Sequence, residues 1–481
     1  MTPNPDERPL TEHDSEARAY LVESIPKGLE DLRGTPGVRY TENVLVELTR
    51  QAQNTIDLTA MYWNLLPDPK SPDESGFTDE QFAKMGADTG RALFEALRDA
   101  AKRGVHIRIL ESPGFSPSSK PESATLRDDF PEHVKLFEVD MGRWYGGSGI
   151  MHQKLWIFDD RHIYLGSANM DWKSIMQVKE MGIAVENCPE LARDATRYFD
   201  GWCHFSGLPA SSIEVFDPLA RITRSVPPWS ALVPKAQRVP SPLDDPKYGT
   251  DCRIGKPLEV NLNGEAGGLF LPGCPPEVLG PGRSYDGAGL VHTIHDARRC
   301  VCVSVMDFAP VGLYSRSGSG VSPIEGGAPI PTDSPVWWPS LIDAILSAAL
   351  TRKVYVRLLI SQWAHTSSLI EPLLRSLQQA ADGGRASQYL SAGQLEIKQF
   401  IIPGWDDTSG AHRKYPGHSR VNHTKYIVTD RRINIGTSNM TWDYFTSTAG
   451  CSFNTDHPNL VRALQAVFDR DWASPYAYRL S

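Results

Sequence analysis

MHQKLWIFDDRHIYLGSAN, residues 151–169, is the stretch from which the rest of the chain is read. A histidine and a lysine stand two apart, His152 and Lys154, followed by Asp159 and by the run Gly166-Ser167-Ala168-Asn169. Leu155 to Phe158 is an apolar run of strand length, and the two-residue period of a strand puts His152 and Lys154 on one face. Arg161 to Leu165 reads as the returning strand of a hairpin. Gly166 then allows a tight backbone turn, and Asn169 presents an amide donor. An ammonium and an amide can together hold the non-bridging oxygens of a phosphate and offset the charge that grows as it is displaced. The histidine is left free for chemistry.

The plan returns as NHTKYIVTDRRINIGTSN, residues 422–439, with His423, Lys425, Asp430 and Asn439 in the matching places and one residue fewer between aspartate and glycine. Displacing an alkoxide from a phosphodiester calls for a nucleophile on one side of phosphorus and a proton donor in line on the other. Two imidazoles supply both through a phosphohistidine, and this reading needs no metal or other cofactor. His152 is read as the nucleophile and His423 as the acid/base. The motive is Glu180 in QVKEMG, a carboxylate placed to accept from His152 Nδ1 and fix its tautomer. The matching stretch of the second copy, around Gly450 and Cys451, has no carboxylate. One HxK pattern occurs by chance in many chains, but two copies with both GS/TxN runs in place argue against chance.

These residues resemble the signature of the phospholipase D superfamily, HxK, four residues, Asp, then GSxN. Within it the chain is similar to the animal family members 3 and 4, endolysosomal 5′-exonucleases of single-stranded nucleic acid. The similarity runs from LVESIP near the start through AMYWNLL, QVKEMG, VRLLISQWAH, VNHTKYIVTD and IGTSNMTWDYFTSTAG to DWASPY. The resemblance implies that His152, Lys154, Asn169, His423, Lys425 and Asn439 line one active site, that Asp159 and Asp430 support it structurally, and that Glu180 orients the first histidine.

The remaining sequence is duplicated in the same sense. Thr55–Trp63 matches Cys300–Phe308 as an apolar strand. A helical stripe of Leu93, Phe94, Leu97 and Ala101 matches Leu341, Ile342, Ile345, Leu346 and Ala349. Val105–Leu110 matches Val354–Ile360, and His133–Val139 matches Leu395–Ile402. The expected fold is α/β: two similar phospholipase D-like halves, each a mixed β-sheet flanked by helices, packed with pseudo-twofold symmetry. A length of 481 residues is ample for two cores. Residues 1–20 read as a polar, disordered N-terminus, 21–206 as the first half, 207–288 as a Pro/Gly-rich connector wrapped on the surface, and 289–481 as the second half. Gly312–Pro335 reads as an irregular loop near the substrate entrance.

A formal net charge of −9 and a pI near 5.8 lack the basic footprint of a long-duplex binder and favour a ligand with few phosphates, such as a strand end or a lipid head group. A local exception is HRKYPGHSR, residues 412–420. It offers Arg413 and Arg420 for phosphate contact and Tyr415 for base stacking, against the alternative of a solvated basic loop. Tyr62, Trp63, Trp144, Tyr145, Trp172, Trp363, Trp405, Trp442 and Tyr444 are further stacking candidates, although most aromatic residues serve buried area.

Seven cysteines show no zinc spacing, and Cys300 and Cys302 read as small core residues of one strand. The luminal relatives carry an N-terminal apolar anchor and disulfide cysteines ahead of LVESIP, in the ISxW motif and in a C-terminal tail. Here the ISxW position is Gln362 and no apolar run precedes LVESIP, so a soluble, cytoplasmic setting without a transmembrane segment is expected. The sequons at Asn422 and Asn439 overlap the signatures and read as chance matches. Relatives form homodimers, which the resemblance extends to this chain as an expectation. Three function classes follow. The leading one is a metal-independent 5′-to-3′ exonuclease on single-stranded DNA or RNA that releases 3′-phosphorylated nucleotides. The second is a phospholipase D-type lipid hydrolase or phosphatidyl transferase using the same chemistry. The third, a non-catalytic binding protein, is opposed by the intact signatures.

Overall fold

The computed structural model describes residues 16–220, 222–313, 336–386 and 393–480. In the first half, strands β1 (Arg18–Ser24), β2 (Val38–Tyr40), β3 (Thr55–Ala60), β4 (His106–Glu111), β5 (Val134–Glu138), β6 (Leu155–Phe158), β7 (His162–Gly166) and β8 (Glu180–Glu186) form one sheet. Its order is β2-β1-β8-β7-β6-β3-β4-β5. The second half contributes β9 (Leu258–Leu262), β10 (Glu265–Phe270), β11 (Cys300–Val305), β12 (Tyr355–Gln362), β13 (Leu395–Ile401), β14 (Lys425–Thr429), β15 (Ile433–Gly436), β16 (Gly450–Thr455) and β17 (Ala477–Arg479). Its order is β9-β10-β16-β15-β14-β11-β12-β13-β17, with Gly273–Cys274 pairing β16 off that path.

The duplication read from the sequence is therefore a duplication of topology: β8-β7-β6-β3-β4-β5 repeats as β16-β15-β14-β11-β12-β13. In both, the first strand pairs parallel to the second and antiparallel to the leading strand of the signature hairpin. Each sheet is mixed because the crossover helices demand parallel neighbours, whereas the tight hairpins demand antiparallel ones. The helical stripe of the first half lies on Asp88–Lys102, with Leu93, Phe94, Leu97 and Ala101 buried. Each such buried leucine contributes about 1.5–3 kcal/mol relative to exposure. In the second half the equivalent helix, Ser340–Leu346, runs on into a wide π turn at Ser347–Thr351.

The two sheets face each other across a shared core. Leu155, Ile157, Leu165 and Ile183 meet Tyr426, Val428, Ile433, Ile435 and Phe453 there, together with the helices Pro189–Ser206 and Pro458–Ala473. Separate cores lie behind each sheet, one around Ile56, Leu97 and Trp156 and one around Val303, Ile345 and Leu358.

Asp159 and Asp430 tie each signature hairpin to the start of the first strand. The Asp159 carboxylate accepts the backbone N–H of Gln53, Asn54 and Thr55 at 2.8, 2.7 and 2.9 Å. Asp430 Oδ1 accepts those of Arg298, Arg299 and Cys300 at 3.0, 2.9 and 3.2 Å.

Two boundary expectations are corrected. The strand β1 begins at Arg18, inside the stretch read as disordered, because Arg18 and Tyr20 both bond Glu186 of β8. Residues 207–288 are not merely a surface wrap. Leu262, Leu269, Phe270, Leu271 and Cys274 are buried, and β9 and β10 form a hairpin that extends the second sheet, with Leu269 and Phe270 pairing Thr455 and Asn454 of β16. Most of the Gly312–Pro335 loop, residues 314–335, and residues 1–15 of the N-terminal segment lie outside the described residues.

Candidate active site

Both signature histidines sit just ahead of their strands β6 and β14, at the seam between the sheets, and their rings stand edge to face with centroids 6.5 Å apart. The seam is stitched by backbone bonds that obey the pseudo-twofold. His152 N–H donates to the Ala449 carbonyl at 3.1 Å, and His423 N–H donates to the Lys179 carbonyl at 2.8 Å. Lys154 Nζ donates to its own histidine's carbonyl at 2.8 Å, and Lys425 Nζ does the same at 2.8 Å. Each lysine is thus folded back beside its histidine, as the period of two requires.

The second GS/TxN turn reaches across as well. His152 Nδ1 donates to the Thr437 carbonyl at 2.9 Å. Each imidazole is oriented through Nδ1 from the opposite half, His152 by this turn and His423 by Glu180. With Nδ1 engaged in this way, Nε2 is the nitrogen through which a ring can react. Asn169 Nδ2 lies 3.5 Å from Tyr62 Oη, and Asn439 Nδ2 donates to Asp307 Oδ2 at 3.1 Å, while the Oδ1 atoms of both are buried without a protein partner among the described residues.

Glu180 is where the sequence reading fails. Its carboxylate oxygens lie 3.0 and 2.8 Å from Nδ1 of His423, not of His152. The reason is topological: β8 leaves the first signature and runs along the seam beside the residues that enter the second, with Lys179 bridged to Asn422. On the other side Gly450 begins β16, and a Cβ there would come within 2.1 Å of Ser438 Oγ and 2.8 Å of Cys274 Sγ, so no carboxylate fits behind His152.

The site is buried, with two histidines and two lysines gathered around one carboxylate, Glu180. Burial, reinforced by Lys154 and Lys425, holds His152 well below the usual imidazole range, and burial with Lys425, Lys154 and His152 does the same to His423. Burial lowers Lys425 to about 7 against the pull of Glu180 and Asp307, and burial with Lys425 takes Lys154 well below the usual lysine range. Burial lifts Glu180 to about 8, opposed by Lys425. An anion placed between the lysines would restore protons to all of these cationic groups.

Arg413, Arg420 and Tyr415 are corrected too. The Arg420 guanidinium is buried, donates to the Pro403 and Lys27 carbonyls at 2.8 and 2.9 Å, and covers the Tyr415 ring at 4.4 Å. Arg413 donates to the Pro72 and Ser75 carbonyls at 2.7 and 2.9 Å. Arg413 thus clamps the first half's loop 71–75 to the second half, and Arg420 joins Lys27 of the first half to Pro403 of the second, so both guanidiniums are engaged across the halves. Basic composition cannot distinguish a guanidinium bound to phosphate from one bound to carbonyls.

Asp307 and the Thr437 carbonyl were not singled out by sequence. A signal for the former existed, since Tyr62 and Asp307 each stand two residues beyond the ends of β3 and β11. Tyr444 packs edge-on against His152 with centroids 5.0 Å apart. Trp172 and Trp442 are both buried, so neither offers a face to a base. The sequon asparagines Asn422 and Asn439 are buried at 1% and 0% exposure, which bars a glycan. Among the described residues all seven cysteines are free, no group of three or more His, Cys, Asp or Glu is placed to hold a metal ion, and no helix is long and apolar enough to cross a membrane.

A family model described as the phospholipase D-like domain of cardiolipin synthase matches residues 45–202 and 337–472, and one described as the phospholipase D-like domain of PLD3/4 matches 229–404. The chain is 32% identical over 479 residues to the 5′-3′ exonuclease PLD3 of Bos taurus, covering 99% of this chain and 83% of that protein. The 5′-3′ exonuclease PLD3 of Homo sapiens is 32% identical over 480 residues, covering 99% and 83%. A probable phospholipase D of Caenorhabditis elegans is 32% identical over 462 residues, covering 96% and 70%. Among solved structures, a phosphatidylserine synthase of Haemophilus influenzae superposes with a TM-score of 0.52 at 12% identity, over 91% of this chain and 85% of that one, a likeness of fold alone.

Proposed function

Because the chain belongs to the phospholipase D superfamily and is a hydrolase of that kind, we propose that it cleaves phosphodiesters through a phosphohistidine, without a metal, as a 5′-to-3′ exonuclease on single-stranded DNA or RNA. The observation that carries this reading is the pair of imidazoles from opposite halves, 6.5 Å apart, each held through Nδ1 so that Nε2 of both can reach one phosphorus.

His152 Nε2 attacks phosphorus while His423 Nε2 gives its proton to the departing 5′-oxygen. His423 then takes a proton from water, whose oxygen attacks the phosphohistidine and frees a 3′-phosphorylated nucleotide. Lys154, Lys425, Asn169 and Asn439 hold the non-bridging oxygens as their charge grows. His423 suits the acid role because a proton donor must carry its proton before bond cleavage, and the carboxylate of Glu180 stabilises an imidazolium where a neutral carbonyl does so only weakly. His152, with the Thr437 carbonyl alone, keeps an available lone pair. The assignment of roles thus rests on the opposite placement of Glu180 from that expected.

The nucleic-acid substrate is supported by the relatives named as exonucleases across nearly the whole chain. The test is hydrolysis in EDTA of 5′-labelled single-stranded DNA against phosphatidylcholine and phosphatidylglycerol vesicles. Release of labelled mononucleotide is expected. Hydrolysis of lipid alone would replace the exonuclease with a lipid hydrolase, and a requirement for a divalent ion would end the two-histidine scheme.

A further inference from the structure

We infer that His365 and His418, stacked beside Trp363, form a subsite that takes a nucleobase of the strand being cut. This rests on the nucleic-acid reading above and adds a place for the base. The His365 and His418 rings lie nearly parallel, 12° apart, with centroids at 4.6 Å, and the Trp363 ring stands edge-on to His365 at 4.7 Å and to His418 at 6.1 Å. All three are only partly buried.

The cluster packs on the segments that carry the reacting groups. Trp363 packs on Val178, Met306 and Val421, which lie within two residues of Glu180, Asp307 and His423. His418 sits at a left-handed φ of 54°, which a histidine adopts only at a cost, and it is held there from the other half. Asp73 Oδ2 accepts from its Nδ1 at 2.7 Å, and the Asp73 carbonyl accepts the Gly417 N–H at 2.8 Å. Although burial opposes it, the bond and charge of His418 take the Asp73 carboxyl down to about 2. Asp73 also lies close enough to Tyr62, the partner of Asn169, for its charge to raise that phenol.

Flat rings at the rim of a phosphate site suit a planar ligand attached to that phosphate. A nucleobase meets this need whatever its identity, because every base has a π-face to stack. Stacking on the pair also gives a role to the strained, partly exposed histidine of the 412–420 segment, whose arginines bond carbonyls.

The experiment compares kcat/KM on a single-stranded oligonucleotide with that on one whose 5′-terminal nucleotides carry tetrahydrofuran in place of bases. The full-length protein is expected to favour the base-bearing strand by about 10-fold, the order of one stacking contact. His365→Ala and His418→Ala shrink that ratio towards one, chiefly through KM, whereas His365→Phe retains it because the ring is kept. An unchanged ratio in both alanine variants, or equal cleavage of the two strands by the unaltered protein, overturns the subsite and leaves the exonuclease standing. Cleavage of neither strand alongside hydrolysis of phosphatidylglycerol vesicles refutes the nucleic-acid reading, and the subsite with it.

Discussion

Glu180 Oε2 lies 2.8 Å from His423 Nδ1, so the strand that leaves the first signature carries the carboxylate that backs the second histidine. The dependence runs the other way through the Thr437 carbonyl and His152. Neither half can assemble a working imidazole by itself.

Glu180→Gln keeps a hydrogen-bonding side chain and removes the charge. With less stabilisation of its protonated form, His423 loses its proton at lower pH. The alkaline limb of the kcat profile therefore moves to lower pH, and kcat at neutral pH falls about 10-fold, a part of what a general acid contributes. A profile that only drops, with both limbs in place, would assign Glu180 a packing role alone.

The histidine roles separate with a substrate whose leaving group needs no proton. On a p-nitrophenyl phosphodiester, His423→Ala is expected to give a burst of p-nitrophenolate and a trapped phosphoenzyme, since attack proceeds but hydrolysis stalls. His152→Ala gives neither. On oligonucleotides both variants fall by at least about 10²-fold. Phosphate found on His423 in the unaltered protein would exchange the two roles.

The duplicated strand order and the eight-residue heart of each signature were legible because periodicity and spacing are local properties of the chain. What crosses the seam was not. The sequence places Glu180 downstream of His152 and says nothing of β8 returning beside Asn422, so nearness in sequence points to the wrong histidine. Arg413 and Arg420 misled for a similar reason: their destination is the carbonyls of Pro72, Ser75, Pro403 and Lys27, distant in sequence.

Asp430 gathers three backbone N–H groups, and although burial opposes it, these bonds hold its carboxyl below the usual value of 3.8. A group with a depressed folded-state pKa stabilises the fold fully above its unfolded value and loses that contribution as pH falls through the folded one. Asp430→Ala is accordingly expected to lower Tm at pH 7 by an amount equivalent to about 1–3 kcal/mol, with the gap from the unaltered protein closing below about pH 4. A gap that persists unchanged at pH 3 would show that the loss comes from packing.

Lys179, one residue before Glu180, is fully buried between Glu23 Oε1 at 3.1 Å and Asp471 Oδ2 at 2.8 Å. Arg470 bonds the same two carboxylates at 2.6 and 2.7 Å, so two cations balance two anions where β1, β8 and the last helix meet. Burial works against the Glu23 carboxylate, yet Lys179 and Arg470 keep its pKa low. Lys179→Met leaves two buried anions facing one guanidinium, at a cost of about 3–5 kcal/mol, and frees the segment that aims Glu180 at His423. Tm should fall and kcat with it. Pairing the change with Glu23→Gln rebalances the charge and should recover much of the Tm, since one anion then faces one cation. A double variant no more stable than Lys179→Met would mean that the lysine's stem, and not its charge, holds this junction.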